Sequence, residues 1–402
     1  MTSDTSAEMA LTGLRVLEVG TNVSAPFAAK LLADYGADVV KIEQPATGDP
    51  ARRHGPFPDQ EPHPERSALF LALNTSKRSL TLDLDTPSGQ AVFRALAATA
   101  DAIVENTKPG TMEARGLSWG SLVESNPKLV MTSVTPFGQT GPYATYEGPN
   151  LVEFATGGQM HMTGSPDREP LKNGGYMSDH QAGLNAFSAT AIATLGASLH
   201  GEGEHVDVGA MQCQASVLEG AMPYWCYLGT DSSMRRGNIM ASFIGIYPCA
   251  DGQIGIHAMA SNWLPLLETI GMPELGDDPR FATQAARIEN NDELMGIFYA
   301  WAAGQNKKEV YARAGETRGP IAYVHDMQDL MDSPQLQSRG FLQTIDHPET
   351  GPLTYVGPPF QMSETPARFG RAPLLGEHTV TILTEAGFDQ TRIDELRGEG
   401  VI

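Results

Sequence analysis

The first half of the chain alternates short β-rich runs with single helix-length segments, and this alternation limits the fold more than any other feature. "RVLEV" leads into "TNVSAPFAAKLLADYGA", where Ser24 suits a cap, Pro26 a first turn and Gly36 a helix end. "DVVKIE" follows directly, at the spacing of a β-α-β unit. Then come "SLTLDL", a helix opened by Thr86 and Pro87, the strand "AIVEN", a short helix near "WGSLVESN" and the strand "LVMTSV". Strands joined through single helices predict an α/β fold with a doubly wound, Rossmann-like parallel sheet.

Beyond that sheet, Asp179 to His200 reads as a helix of small residues. Ala182, Gly183, Ala186, Ala189 and Ala193 suit close backbone packing, so the helix is expected to be buried. "EHVDVGA", a helix and "TDSSMRRGN" follow, the last reading as a linker at the end of a large domain's first part, 1–230. Residues 240–328 change texture, with a hairpin in "GIYPCADGQIGIHA" and amphipathic helices, and read as a smaller α+β domain. Residues 329–402 read as a return to the large domain.

A formal net charge of -21 argues against binding a nucleic acid or an anionic membrane surface. A phosphate-bearing ligand would need local Lys, Arg and backbone donors, acting within a Debye length of about 10 Å. No run approaches the roughly 18 apolar residues of a membrane helix, and "MTSDTSAEMA" lacks the features of a secretion signal, so the expected compartment is the cytoplasm. Cys213, Cys226 and Cys249 lack metal-ligand spacing and read as reduced, mostly buried thiols; no catalytic metal is expected. "GLSWG" matches the G-x-S-x-G pattern of a nucleophile elbow, but no strand precedes it, so Ser118 reads as a helix cap.

From "LTGLRVLEVGTNVSAPFAAKLLADYGADVVKIEQPATGDPARR" onward the sequence resembles the family III CoA-transferases. The resemblance continues in order through "NTSKRSLTLDL", "IVENTKPGTMEARGL", "SVTPFGQTGP", "GEHVDVGAMQ", "DPRF", "RGF" and "GEHT". It implies the α/β fold, an interlocked-ring homodimer, acyl-CoA and small carboxylic acids as partners, and no permanently bound cofactor, coenzyme A thioester being substrate. It also implies that Asp179, at the start of the small-residue helix, is the covalent catalyst. A helix N-terminus favours an ionised carboxylate independently, although such an aspartate also serves as a plain helix cap.

By the same resemblance, CoA is contacted by Val23, Ser24 and Ala25, by Lys77 and Arg78, and by Asn106, Thr107 and Arg115. Read without it, Lys77 and Arg78 also fit a solvated turn, and Asn106 a strand-end hydrogen-bonder. The chain departs from the family twice: the Arg of "E-R-x-G-L" comes one place later, as Arg115, and "GIHAMASNW" replaces a glycine run, so formyl or oxalyl specificity is not implied. An acyl-CoA racemase is a rival, but Pro149 stands where its histidine belongs. A noncatalytic subunit of a heteromeric transferase is another, disfavoured because Asp179 is retained. His180 is expected to pack or orient. Met160, His161, Met162, Tyr176 and Met177 fit an acid pocket or the core equally well.

Overall fold

The structure, a computed structural model, describes residues 8–218, 220–230, 235 and 237–402. Most of the "TDSSMRRGN" linker therefore lies outside the described residues. The chain forms two units. One holds residues up to Gln159, Lys172–Pro223 and Leu336–Ile402, and the other Met160–Leu171 and Tyr224–Gln335.

In the first unit, β1 (Arg15–Val19), β2 (Asp38–Glu43), β3 (Arg78–Thr81), β4 (Ala102–Glu105), β5 (Val130–Thr135) and β6 (His205–Gly209) form a wholly parallel sheet. Its order is β3-β2-β1-β4-β5-β6, the arrangement in which strand order reverses beside β1. Alternate side chains serve opposite faces, as a strand's period of two requires. Leu17, Ile103 and Met131 pack with Phe93 and Leu96 on one face, while Val16, Val104 and Val130 pack with Ala28, Ala182 and Ala186 on the other. The first face also takes Ile382, Leu383, Ile393 and Leu396 from the C-terminal helices Thr379–Glu385 and Gln390–Gly398.

The helix expected from Asp179 runs Met177–His200 and packs on Ser24–Asp34 and on β5. Gly183 fits because a Cβ there would stand 2.5 Å from Ser24 O, a backbone atom with nowhere to go. Burial is confined to Ser178 and the stripe Ala182, Gly183, Ala186, Thr190, Ala193 and Ala197. The opposite face exposes Leu184, Ile192, Leu195 and Leu199, so the expectation of a buried helix holds for one side alone. Its 24 residues make it long and apolar enough to cross a membrane, contrary to the sequence expectation. Its small-residue stripe is nonetheless spent on packing against a sheet, the pattern of a core helix.

The second unit carries an antiparallel sheet in the order β10-β9-β8-β7, made of β7 (Ile239–Ala241), β8 (Ile244–Cys249), β9 (Gly252–His257) and β10 (Ile321–Tyr323). β8 and β9 are the hairpin read from "GIYPCADGQIGIHA". Phe243, Tyr247, Trp263, Leu266 and Phe298 form the core of this unit. Back in the first unit, β11 (Leu342–His347) and β12 (Gly351–Val356) pair antiparallel.

Three local expectations change. Ser24 is the first helical residue and not a cap: Val23 holds that position, with no side-chain capping bond. Of the cysteines, Cys213 alone is buried, while Cys226 is exposed and Cys249 half-buried. Of the five candidates for acid pocket or core, none is core, Met160 being half-buried and the others exposed. Ser118 does cap, its Oγ accepting from Ser121 N, and it follows a helical turn, Thr111–Ala114, and not a strand.

Candidate functional site

In a parallel sheet the loops that can meet a ligand lie beyond the carboxyl ends of the strands. There the segments after β1, β4, β5 and β6 enclose a cleft of about 180 Å³, whose lining includes Val23, Ser24, Asn106, Thr135, Glu153 and Asp179. A second cleft of about 610 Å³ includes Thr107, Lys108 and Tyr146 in its lining and shares Asn106, Thr135, Pro136 and Gly148 with the first.

The loop after β1 is held from beneath by buried charge. Lys41 Nζ bonds Glu18 Oε1 at 2.7 Å and Gly20 O at 2.9 Å, and pairs with Asp49 at 2.9 Å. Asp49 in turn accepts from Asn22 N at 3.0 Å. Asn106, at the end of β4, clamps the same loop: its Oδ1 accepts from Thr21 N, and its Nδ2 donates to Thr21 O and to Ser24 Oγ. Thr107 is fixed by donating through N and Oγ1 to Glu105, both at 2.6 Å.

Asp179 sits in the first turn of the 177–200 helix, half-buried. Burial pushes its carboxyl above 3.8, opposed by the Asn150 amide, the His180 ring, its own backbone N–H and Lys172. Desolvation thus outweighs the helix end that favours ionisation. A carboxylate raised in this way is a stronger nucleophile once ionised. His180 is turned aside, its Nδ1 bonding Tyr176 O at 2.8 Å and its ring meeting Phe27 edge-on at 4.8 Å, which suits packing and orientation.

The sequence profile of CoA-transferase family III matches residues 11–379. The chain belongs to that family. This CoA-transferase is 35% identical to the succinyl-CoA:(R)-benzylsuccinate CoA-transferase subunit of Thauera aromatica, over 96% of this chain and 97% of that one. It is 34% identical to the succinate–glutarate CoA-transferase of Agrobacterium fabrum, over 96% and 98%. The crystal structure of a CaiB/BaiF family protein from Brucella suis superposes with a TM-score of 0.83 and 32% identity, covering 94% of this chain and all of that one.

Of the expected CoA contacts, Val23, Ser24 and Asn106 share the cleft with Asp179, and Thr107 lines the adjoining one. Ala25 is fully buried in the apolar core and lines neither cleft. Lys77 is placed with its side chain buried beneath the loop after β1 and not in the lining of either cleft. Its buried ammonium donates to Pro26 O and Asn74 Oδ1, both at 2.8 Å, and forms an ion pair with Glu18 Oε2 at 2.6 Å. Burial lowers its pKa to about 8. Arg78 opens β3, at the amino ends of the strands, away from the cleft, and is tied to Asp38 and Glu385. Arg115 lies on the carboxyl side and pairs with Asp85 at 2.8 Å.

Two residues near the nucleophile went unread in the sequence. Asn150 Nδ2 donates to Asp179 Oδ2 at 2.9 Å. Glu153, one turn further along the helix Asn150–Thr156, is buried beside them. The available signal was a single acidic residue inside the apolar run "NLVEFA", three places from the asparagine and so on the same helix face.

Proposed function

We propose that this CoA-transferase takes CoA from succinyl-CoA to a small carboxylic acid through a covalent intermediate on Asp179. The observation that carries this reading is the desolvated Asp179 carboxylate in the cleft at the strand ends, oriented by the Asn150 amide. The donor is chosen because both relatives described above are named for succinyl-CoA or succinate.

An Asp179 oxygen attacks the thioester carbon, and collapse expels CoA as thiolate, leaving a mixed anhydride. The thiolate then attacks the aspartyl carbonyl, freeing succinate and leaving an aspartyl-CoA thioester. The acceptor carboxylate attacks that thioester, giving a second anhydride, and returning CoA forms the new acyl-CoA and regenerates Asp179. Each step exchanges one activated acyl bond for another, so acyl-transfer energy is retained and water must be excluded. Val23, Ser24, Asn106 and Thr107 border the thioester arm, and Arg115 serves a phosphate. The exposed apolar faces of the 177–200 and 221–228 helices, with Ile192, Leu199, Trp225 and Tyr227, support an interlocked homodimer. Light scattering that gives a monomer at micromolar concentration overturns the assembly.

Hydroxylamine added during turnover of succinyl-CoA and glutarate tests the chemistry. A hydroxamate on the peptide containing Asp179, absent without acyl-CoA and absent in Asp179→Asn, is the expected result. Label on another carboxylate, or exchange retained by a folded Asp179→Asn protein, overturns it.

A further inference from the structure

The cleft at Asp179 contains a second carboxyl that the mechanism above does not use. Glu153 is 4% exposed, and its Oε2 is buried with no hydrogen-bond partner. Among the described residues it makes no ion pair within 4.0 Å. The helix bearing it packs against the 177–200 helix and against Ala210–Ala215. The titratable groups these present to it are Asp179 and the Cys213 thiol, and neither is a cation. Thr135 Oγ1 lines the same cleft and also lacks a partner.

A buried carboxyl facing an anion and no cation keeps its proton, because ionisation would leave two unpaired charges in a desolvated space. Burial first, and then Asp179, push Glu153 up from 4.5 to about 8. Of the two carboxyls, Asp179 is the one supplied with donors, from Asn150 and its own backbone. The proton therefore resides on Glu153 and the nucleophilic charge on Asp179.

We propose that Glu153 acts as a neutral carboxylic acid that donates a hydrogen bond to the reacting carbonyl oxygen as Asp179 attacks. As the bond forms between the Asp179 oxygen and the thioester carbon, the carbonyl π pair moves onto oxygen. Glu153 stabilises that charge and keeps its proton. Collapse returns the pair to the carbonyl and CoA departs as thiolate, so no net proton transfer occurs. A neutral donor suits this task better than a cation, since a cation beside Asp179 would pair with the nucleophile and blunt it. A preorganised donor in a water-poor site is typically worth about a hundredfold or more in rate.

This inference rests on the covalent role of Asp179, and the experiment separates the two. Single-turnover acylation is followed by CoA release and hydroxylamine trapping, using succinyl-CoA or whichever of a panel of acyl-CoAs labels Asp179 fastest. Glu153→Leu, which removes the donor, is expected to slow acylation about a hundredfold. Glu153→Gln keeps an N–H donor and is expected to recover most of that loss. The wild type is expected to lose acylation rate as pH rises through about 8, and Glu153→Gln to lack that fall. Infrared spectra at neutral pH are expected to show a protonated carboxyl band that Glu153→Gln removes. Acylation by Glu153→Leu within threefold of wild type, a basic limb that persists in Glu153→Gln, or no such infrared band overturns the proposal and leaves the Asp179 reading standing. No label on wild-type Asp179 with any acyl-CoA overturns both.

Discussion

Asn150 Nδ2 meets Asp179 Oδ2 at 2.9 Å and is the one side-chain hydrogen-bond donor to that carboxylate among the described residues. Asn150 is itself buried, at the first position of the Asn150–Thr156 helix, and its Oδ1 has no hydrogen-bond partner, so the bond to Asp179 is the side chain's polar contact. The bond fixes which oxygen of Asp179 points into the cleft.

Replacing Asn150 by Leu is expected to slow acylation of Asp179 about 10- to 100-fold, the scale of one hydrogen bond to a charged group. Asn150→Asp is expected to be worse, because it removes the amide donor and sets a second anion beside Asp179, which favours protonation of the nucleophile. Single-turnover CoA release measures both. Rates within threefold of wild type for both variants contradict the positioning role.

Glu153 links stability to pH with a definite sign. In the folded chain its carboxyl holds a proton up to about 8, whereas the unfolded chain releases it near 4.5. A raised carboxyl contributes fully below the lower value, and the contribution is lost as pH rises through the upper one. Glu153→Gln removes the dependence. The variant is therefore expected to gain stability over wild type from about pH 5 to about pH 8.5, reaching roughly 2–4 kcal/mol. Denaturant titrations at several pH values check this, and a difference that stays flat with pH contradicts it.

Lys77→Met is expected to cost about 3 kcal/mol of stability, since it strips one counter-ion from Glu18 and removes the donor to the Pro26 carbonyl in the first turn of the Ser24–Asp34 helix. A lysine on a phosphate would instead steepen the salt dependence of CoA binding. That slope, measured calorimetrically on the folded variant, is expected to match wild type. A shallower slope restores Lys77 as a phosphate ligand.

Gly183→Ala places a methyl group 2.5 Å from Ser24 O and within 3.3 Å of Phe27. The backbone of the Ser24–Asp34 helix has to retreat, at a cost of about 1–3 kcal/mol. Because the displaced residues carry the loop that lines the cleft, weaker CoA binding is expected alongside lower stability. Wild-type affinity in a destabilised variant would separate packing from the site.

Much of the architecture was legible because it is written in local periodicity. β1 and β2 have the bounds of "RVLEV" and "DVVKIE", and Thr86 caps its helix through Gly89 N as its position before Pro87 suggests. Asp179 was legible through the family resemblance and its place at a helix start. The placement of Lys77 and Arg78 was not legible, because "TSKRS" gives no sign of which way each side chain points. Lys77 turns inward to Glu18, while Arg78, its neighbour, lies at the amino edge of the sheet with Asp38.

The sequence by itself determined the parallel sheet, the small-residue helix and the family, since alternation, glycine placement and ordered motifs all act between near neighbours. The tertiary structure alone decided the electrostatics of the site. Glu18, Lys41, Asp49 and Lys77 come from four separate segments, Asn106 and Thr21 from two, and Glu153 gains its meaning from a partner 26 positions away. Burial and charge pairing depend on distances through space, and the same glutamate that would be an ordinary anion on a solvated helix becomes a proton-holding acid when the 177–200 and 210–215 helices pack against its own.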